Sequence, residues 1–200
     1  RCGEMVIPFM SVYLTAQLGF TKIETGIVLF CFGLGALFGS NIGGHLTDKI
    51  GNFKVMALSL AGTGVAFIGI LFFKTFILLS AWLIITGMFS SMFSPAAFSA
   101  VSLWGQPENK TRGFSLLRMA INLGVAIGPA VGGFFAHKVG YSWLFIVDGI
   151  TCFFALTTLF LVLSHRNVKY NTDKEVTVIK QSPFKDKILL LFLFVNLLNM

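Results

Sequence analysis

Residues Gly35 to Gly51 read GALFGSNIGGHLTDKIG, and a second copy of the pattern appears 89 residues later. Gly35, Gly39, Gly43, Gly44, Lys49 and Gly51 recur without a gap as Gly124, Gly128, Gly132, Gly133, Lys138 and Gly140, and Ile50 recurs as Val139. In each copy three glycines stand four residues apart, which on a helix forms one smooth stripe that a second helix can approach closely. Each stripe then runs into a turn containing lysine. Solenoids and propellers are the usual source of a long repeat period, but the apolar runs between these copies are too long for either.

Those runs set the class. Hydrophobic residues make up 56% of the chain and charged residues 12%, with a mean hydropathy of +0.84, far from the soluble balance of about half apolar and a quarter charged. About 20 apolar residues span a bilayer. Spans are expected near Met5–Leu18, Gly26–Gly44, Phe53–Phe73, Ile77–Ala100, Leu116–Ala136 and Trp143–Leu163, with an incomplete one over Ile188–Met200. The expected fold is therefore an all-α membrane protein. Its parts are a six-helix bundle over 1–163, a polar linker over 164–187 containing Pro183, and the start of a seventh helix over 188–200. The chain begins without Met and stops inside an apolar run, and it reads as a piece of a longer protein.

Basic residues orient the spans. Lys49, Lys54, Lys110, Arg112, Arg166, Lys169, Lys174, Lys180, Lys185 and Lys187 follow helices 2, 4 and 6, whereas only Lys22, Lys74 and Lys138 follow helices 1, 3 and 5. Ten against three places the first set of loops in the cytoplasm. The net charge of +7 then serves orientation and contact with anionic lipid rather than nucleic acid. Cys2, Cys31 and Cys152 lie in apolar runs without metal-like spacing and read as small buried hydrophobes. No metal or cofactor is expected.

With this orientation helix 2 runs inward and helix 5 outward, so one glycine pattern is inserted in opposite directions. Helices 1–3 and 4–6 read as two inverted three-helix repeats, the device by which transporters build two related conformations around a central site. On helix 1, Arg1, Glu4, Pro8, Ser11 and Thr15 follow at steps of three and four and share one face. A charge at mid-membrane costs roughly 2.5–3.5 kcal/mol on insertion scales, so Glu4 is expected to face a cavity or a partner.

The segment GGHLTDKIGNFK, residues 43–54, resembles the loop 2–3 signature of the major facilitator superfamily, Gly-x-x-x-Asp-Arg/Lys-x-Gly followed by basic residues. Gly44, Asp48, Lys49 and Gly51 match the core, while Asn52 and Phe53 stand where basic residues are usual. The resemblance implies a gating loop in which Asp48 and Lys49 make charge and helix-end contacts. Helix 4 lacks the family's Arg-x-x-Gln-Gly signature, of which only Gly87 fits. It carries instead Thr86, Ser90 and Ser94 at four-residue steps, a stripe suited either to an aqueous path or to helix packing.

Helix 5 supplies the missing cation. Arg118 and Asn122 lie one turn apart, just before Gly124, Gly128, Pro129, Gly132 and Gly133. That run looks like the Gly-x-x-x-Gly-Pro-x-x-Gly-Gly signature associated with proton-coupled antiporters of the superfamily, and every specified position matches. Arg118, a permanent cation with a five-donor fork, suits a polar or anionic substrate. The stripes at Gly35, Gly39, Gly124 and Gly128 are expected to be helix-packing surfaces, with Gly39, Gly124 and Gly128 turned towards a second six-helix bundle.

Asp148 is the acid of helix 6, about a turn and a half from its outer end, where an interfacial or capping role is at least as open as a coupling role. Glu4, on the polar face with Ser11 and Thr15, is the first candidate for proton coupling and Asp148 the second. The reading is a secondary transporter of the cell (inner) membrane working by alternating access. Proton-coupled export of small organic molecules is favoured over uptake of a metabolite or peptide. A Gly-x-x-x-x-Gly-Lys-Ser/Thr loop for ATP is absent from the sequence. A channel filter ring or an enzyme's nucleophile–base set is not apparent, since His45, His137 and His165 all fall at loops.

Overall fold

A computed structural model describes residues 6–104 and 110–163; Arg1, Glu4, the linker 164–187 and the seventh-helix segment 188–200 lie outside them. Every element among the described residues is helical. Helix α1 (Val6–Val12) continues as a π-helical segment (Tyr13–Gln17) and is followed by α2 (Lys22–Ile50), α3 (Asn52–Ile70), α4 (Phe76–Trp104), α5 (Lys110–Val139) and α6 (Tyr141–Leu163). The five helices α2 to α6 are long and apolar enough to cross a membrane. Phe30, Leu37, Phe38, Phe154 and Leu161 stand mostly exposed on them, as suits surfaces solvated by hydrocarbon.

Sequence signals account for the helix ends. Thr21 and Glu24 form a capping box at the start of α2: the Thr21 hydroxyl accepts from the Glu24 N–H, and the Glu24 carboxylate accepts from the Thr21 N–H at 2.8 Å. Helix α2 therefore begins four residues before the expected Gly26 and runs on past Gly44. Gly44, Asp48 and Lys49, expected in a gating loop, are helical, and the loop reduces to Gly51. Gly51 has φ +90°, and its repeat partner Gly140, between α5 and α6, has φ +102°. Such φ values are open to glycine at no steric cost, so the chain can reverse in one residue. The two copies of the repeat thus end in the same junction.

The glycine stripes find their partners inside this bundle. Gly35, Gly39 and Gly43 are buried against α4, where a Cβ at Gly35 would lie 2.8 Å from Ile84 C, one at Gly39 2.6 Å from Met88 Cα, and one at Gly43 2.8 Å from Met92 Cα. Gly132 on α5 is buried under the Phe9 ring of α1, at 2.8 Å from an added Cβ, and Gly128 is buried as well. The expectation that Gly39 and Gly128 face a second bundle is therefore corrected. Both are buried within this chain, Gly39 because α4 comes close enough to occupy its groove first. The middle helix of each repeat seats its stripe on the first helix of the other, α2 on α4 and α5 on α1. Helices α3 and α6, the last of each repeat, pair through Gly64 and Gly149, whose Cβ positions would each fall near 3.1 to 3.2 Å from the other's carbonyl oxygen.

Two apolar cores fill the bundle. One joins Met10, Tyr13, Leu14, Val28, Phe67, Ile70, Leu79, Leu83, Leu144, Phe145 and Cys152 near the α1–α2 and α3–α4 connections. The other joins Val55, Met56, Met92, Ala96, Ala97, Ala100 and Leu159 near the α2–α3 connection.

Candidate functional site

Helix 1 departs from the expected even helix at its π-helical segment. The Thr15 hydroxyl donates to Ser11 O at 2.9 Å, Leu18 N–H reaches back to Tyr13 O, and Gln17 Oε1 accepts from the Ser142 hydroxyl of α6 at 3.2 Å. Tyr13 meets Phe145 edge to face, with ring centroids 4.8 Å apart. Ser11 is half-buried and Thr15 exposed, and the Thr15–Ser11 hydrogen bond holds the two residues together across the wider turn. Hydroxyl back-bonding of this kind loosens the local ladder, and π-turns recur at functional sites.

Helix 4 resolves the choice left open by its polar stripe at one position. Thr86 is fully buried and its hydroxyl donates to Trp82 O of its own helix at 2.9 Å. It packs and does not line an aqueous path, because α2 closes over this turn: a Cβ at the adjoining Gly87 would lie 3.0 Å from Ala36 N. Ser90 and Ser94 are half-buried.

Arg118 and Asn122 are exposed, Arg118 about 12 Å along α5 at 1.5 Å per residue. Projected at about 100° per residue, the uncovered part of α5 divides into two arcs. Ser115, Arg118, Asn122 and Ala126 form one, polar or small; Leu116, Leu123, Ile127 and Phe134 form the other, large and apolar. The apolar arc suits lipid. The polar arc requires water or a partner, since a guanidinium at this depth is costly in hydrocarbon. Ser40 and Asn41 are likewise exposed on α2, on the side away from its buried glycines. Sequence reasoning passed over them, although two adjacent polar residues inside the glycine stripe were a readable signal.

Asp148 lies in the first half of α6. Its relative exposure is 0%, and it lies one turn beyond Leu144 and Phe145, themselves buried in the first core. Helix α6 tucks this face against its neighbours, so an acid about 10 Å from the helix start at 1.5 Å per residue is covered by packing. An ionisable side chain so placed within a span is a candidate functional group in its own right. Asp48 and Lys49 are exposed in the last turn of α2.

Residues 2–200 match the sequence profile of the Major Facilitator Superfamily. The chain belongs to this superfamily. It is 28% identical over 181 residues to the uncharacterized MFS-type transporter YttB of Bacillus subtilis, covering 90% of this chain and 44% of the relative. It is 30% identical over 135 residues to YqjV of the same organism, another uncharacterized MFS-type transporter, covering 68% and 33%. The quinolone resistance protein NorA of Staphylococcus aureus is 29% identical over 169 residues, covering 84% and 43%. The chain thus spans less than half the length of these curated relatives. Membership makes this superfamily chain a multi-pass integral membrane protein, and its six helices correspond to an N-terminal bundle of that fold.

Proposed function

We propose that this chain forms the first half of a secondary transporter that works by alternating access and exports small organic molecules in exchange for protons. The observation that supports this best is the crossed seating of the two glycine stripes. Inverted repeats that exchange partners, α2 with α4 and α5 with α1, give one bundle two related packings, which is what a site opened alternately to either side needs. The export direction and organic substrate are favoured by the full match of the helix 5 pattern at Gly124, Gly128, Pro129, Gly132 and Gly133, and by similarity to a protein named for quinolone resistance.

In this reading a second six-helix bundle completes the transporter, and Arg118, Asn122, Ser40 and Asn41 face the substrate path between the two. Asp48 and Lys49, in the last turn of α2, contribute to the gate through the helix end they occupy. Glu4 and Asp148 are the proton-coupling candidates, and the burial of Asp148 removes the reason for ranking it second. The loops after α2, α4 and α6 lie in the cytoplasm, and the membrane is the cell (inner) membrane. The chemistry is translocation, with no bond made or broken in the substrate.

The test is transport of a fluorescent quinolone by the full-length protein in proteoliposomes, with and without an imposed pH gradient. Gradient-driven accumulation against the quinolone gradient, with matching proton movement, is expected. Accumulation indifferent to the pH gradient would overturn proton coupling. Accumulation in the same direction as proton flow would replace export by uptake.

A further inference from the structure

Helix α1 and the π-helical segment that continues it are fastened to α5 and α6 at three levels. The Phe9 ring covers Gly132 of α5, 2.8 Å from where a Cβ would stand, and reaches the Cβ position of Gly133 at 3.6 Å. Tyr13 meets Phe145 of α6 edge to face. Gln17 Oε1 accepts from the Ser142 hydroxyl at the start of α6, at 3.2 Å.

Eight residue steps lead from Phe9 to Gln17. In an unbroken α-helix, eight steps of about 100° leave the two side chains about 80° apart around the axis. The π-helical segment removes most of that difference. Leu18 N–H closes on Tyr13 O, five residues back, and Phe20 N–H on Leu14 O, six back, so this turn holds one residue more than an α turn. Counted as about seven α steps, Phe9 and Gln17 stand within about 20° of each other, both towards α5 and α6. The extra residue is taken up on the open side: Thr15, Ala16 and Gln17 are exposed, while Tyr13 and Leu14 are buried. The Thr15 hydroxyl donates to Ser11 O and Val12 O, at 2.9 and 3.3 Å, at the entrance to the wide turn.

We infer that helix α1 has two registers, and that the Phe9 seat on Gly132 and the wide turn at Tyr13–Gln17 form and disappear together. With Gln17 held on α6, closing the turn to α geometry carries the part before Tyr13 round by about 100° and along by about 1.5 Å. That takes the Phe9 ring out of the groove of α5. Conversely, a ring seated on Gly132 keeps the turn wide. Each register gives up what the other gains. The wide one keeps the aromatic seat, and the α one recovers regular main-chain hydrogen bonds in a setting where no water replaces them. A bound substrate that favours either packing therefore decides between them. The inference rests on the transport reading in taking this switch to accompany each cycle.

The test is a pulsed electron paramagnetic resonance measurement on the full-length protein in liposomes. Its native cysteines are replaced, and spin labels are placed at Val12 on α1 and Ile150 on α6, two exposed positions. Two distance components are expected, with their ratio shifted about threefold or more by a fluorescent quinolone. One component in both conditions would overturn the inference. Gly132→Ala crowds the Phe9 ring and should enrich the component that lacks the seat; an unchanged ratio would also overturn it. Deletion of Ala16 removes the extra residue and lets the turn close as α-helix with Phe9 still seated. That variant should show the seated component alone and bind the quinolone, yet lose about tenfold or more of its gradient-driven transport. Transport equal to the parent's would refute the switch, and where the deletion does not fold, Gly132→Ala decides. Two components in a parent protein that carries out no gradient-driven transport would count against the proposed function and leave the two registers standing.

Discussion

A single methyl group at Gly39 should separate two helices. Its Cβ would run into the Met88 carbonyl oxygen and lie 2.6 Å from Met88 Cα and 2.7 Å from Met88 C, where ordinary contact begins at 3.4 Å, so α2 and α4 must part locally by more than about 0.8 Å. The obstructing atoms are main chain and cannot rotate away. Overpacking a tight contact costs about 1–3 kcal/mol, and a backbone obstacle belongs in the upper half of that range. The same substitution also gains up to about 1 kcal/mol of helix propensity, which a control removes. Gly33 lies on the same helix, exposed, with nothing within 4 Å of its Cβ position. Gly33→Ala should therefore be neutral or stabilising. The gap between Gly39→Ala and Gly33→Ala isolates the packing cost, about 2–3 kcal/mol. Reversible unfolding of the full-length protein in mixed detergent and dodecyl sulfate micelles, followed by circular dichroism, measures it. Equal stabilities for the two variants would refute the seating of the stripe on α4.

Gly51→Ala and Gly140→Ala meet no atom within 4 Å, yet each should lose about 1–2 kcal/mol in the same unfolding assay because of its positive φ; no loss would mean that the junctions adopt another conformation. Arg118 is exposed, so Arg118→Lys should change stability by no more than about 0.5 kcal/mol. It should nevertheless weaken the apparent affinity for an anionic or zwitterionic quinolone by about tenfold or more, since a charged hydrogen bond is worth about 1.5–3 kcal/mol; an unchanged affinity would take Arg118 out of the substrate path. Asp148→Asn preserves shape in a fully buried site, and it is expected to uncouple quinolone transport from the pH gradient while downhill flux persists. Full coupling in that variant would leave Glu4 as the candidate.

Much of the bundle was legible because bilayer thickness dictates helix length, and each apolar run could therefore be counted as one crossing. The repeat was legible for a different reason. Glycine is required where backbones meet or φ turns positive, so Gly35, Gly39 and Gly43, and then Gly51 and Gly140, announce their roles by residue type alone. The start of α2 was written in Thr21 and Glu24 as well, although hydropathy drew attention to Gly26 instead. What these residues do not encode one by one is their partner. A glycine stripe fits any helix that reaches it first, and only the packed bundle brings α4 to α2 and α1 to α5. The same holds for the polar groups. Periodicity places Thr86, Ser11, Thr15 and Asp148 on helix faces, but whether a face meets water, lipid or another helix depends on neighbours distant in sequence. Thr86 and Asp148 are sealed because those neighbours close over them, and the π-helical segment beside Ser11 and Thr15 lies where α1 meets α6 through Tyr13–Phe145 and Gln17–Ser142.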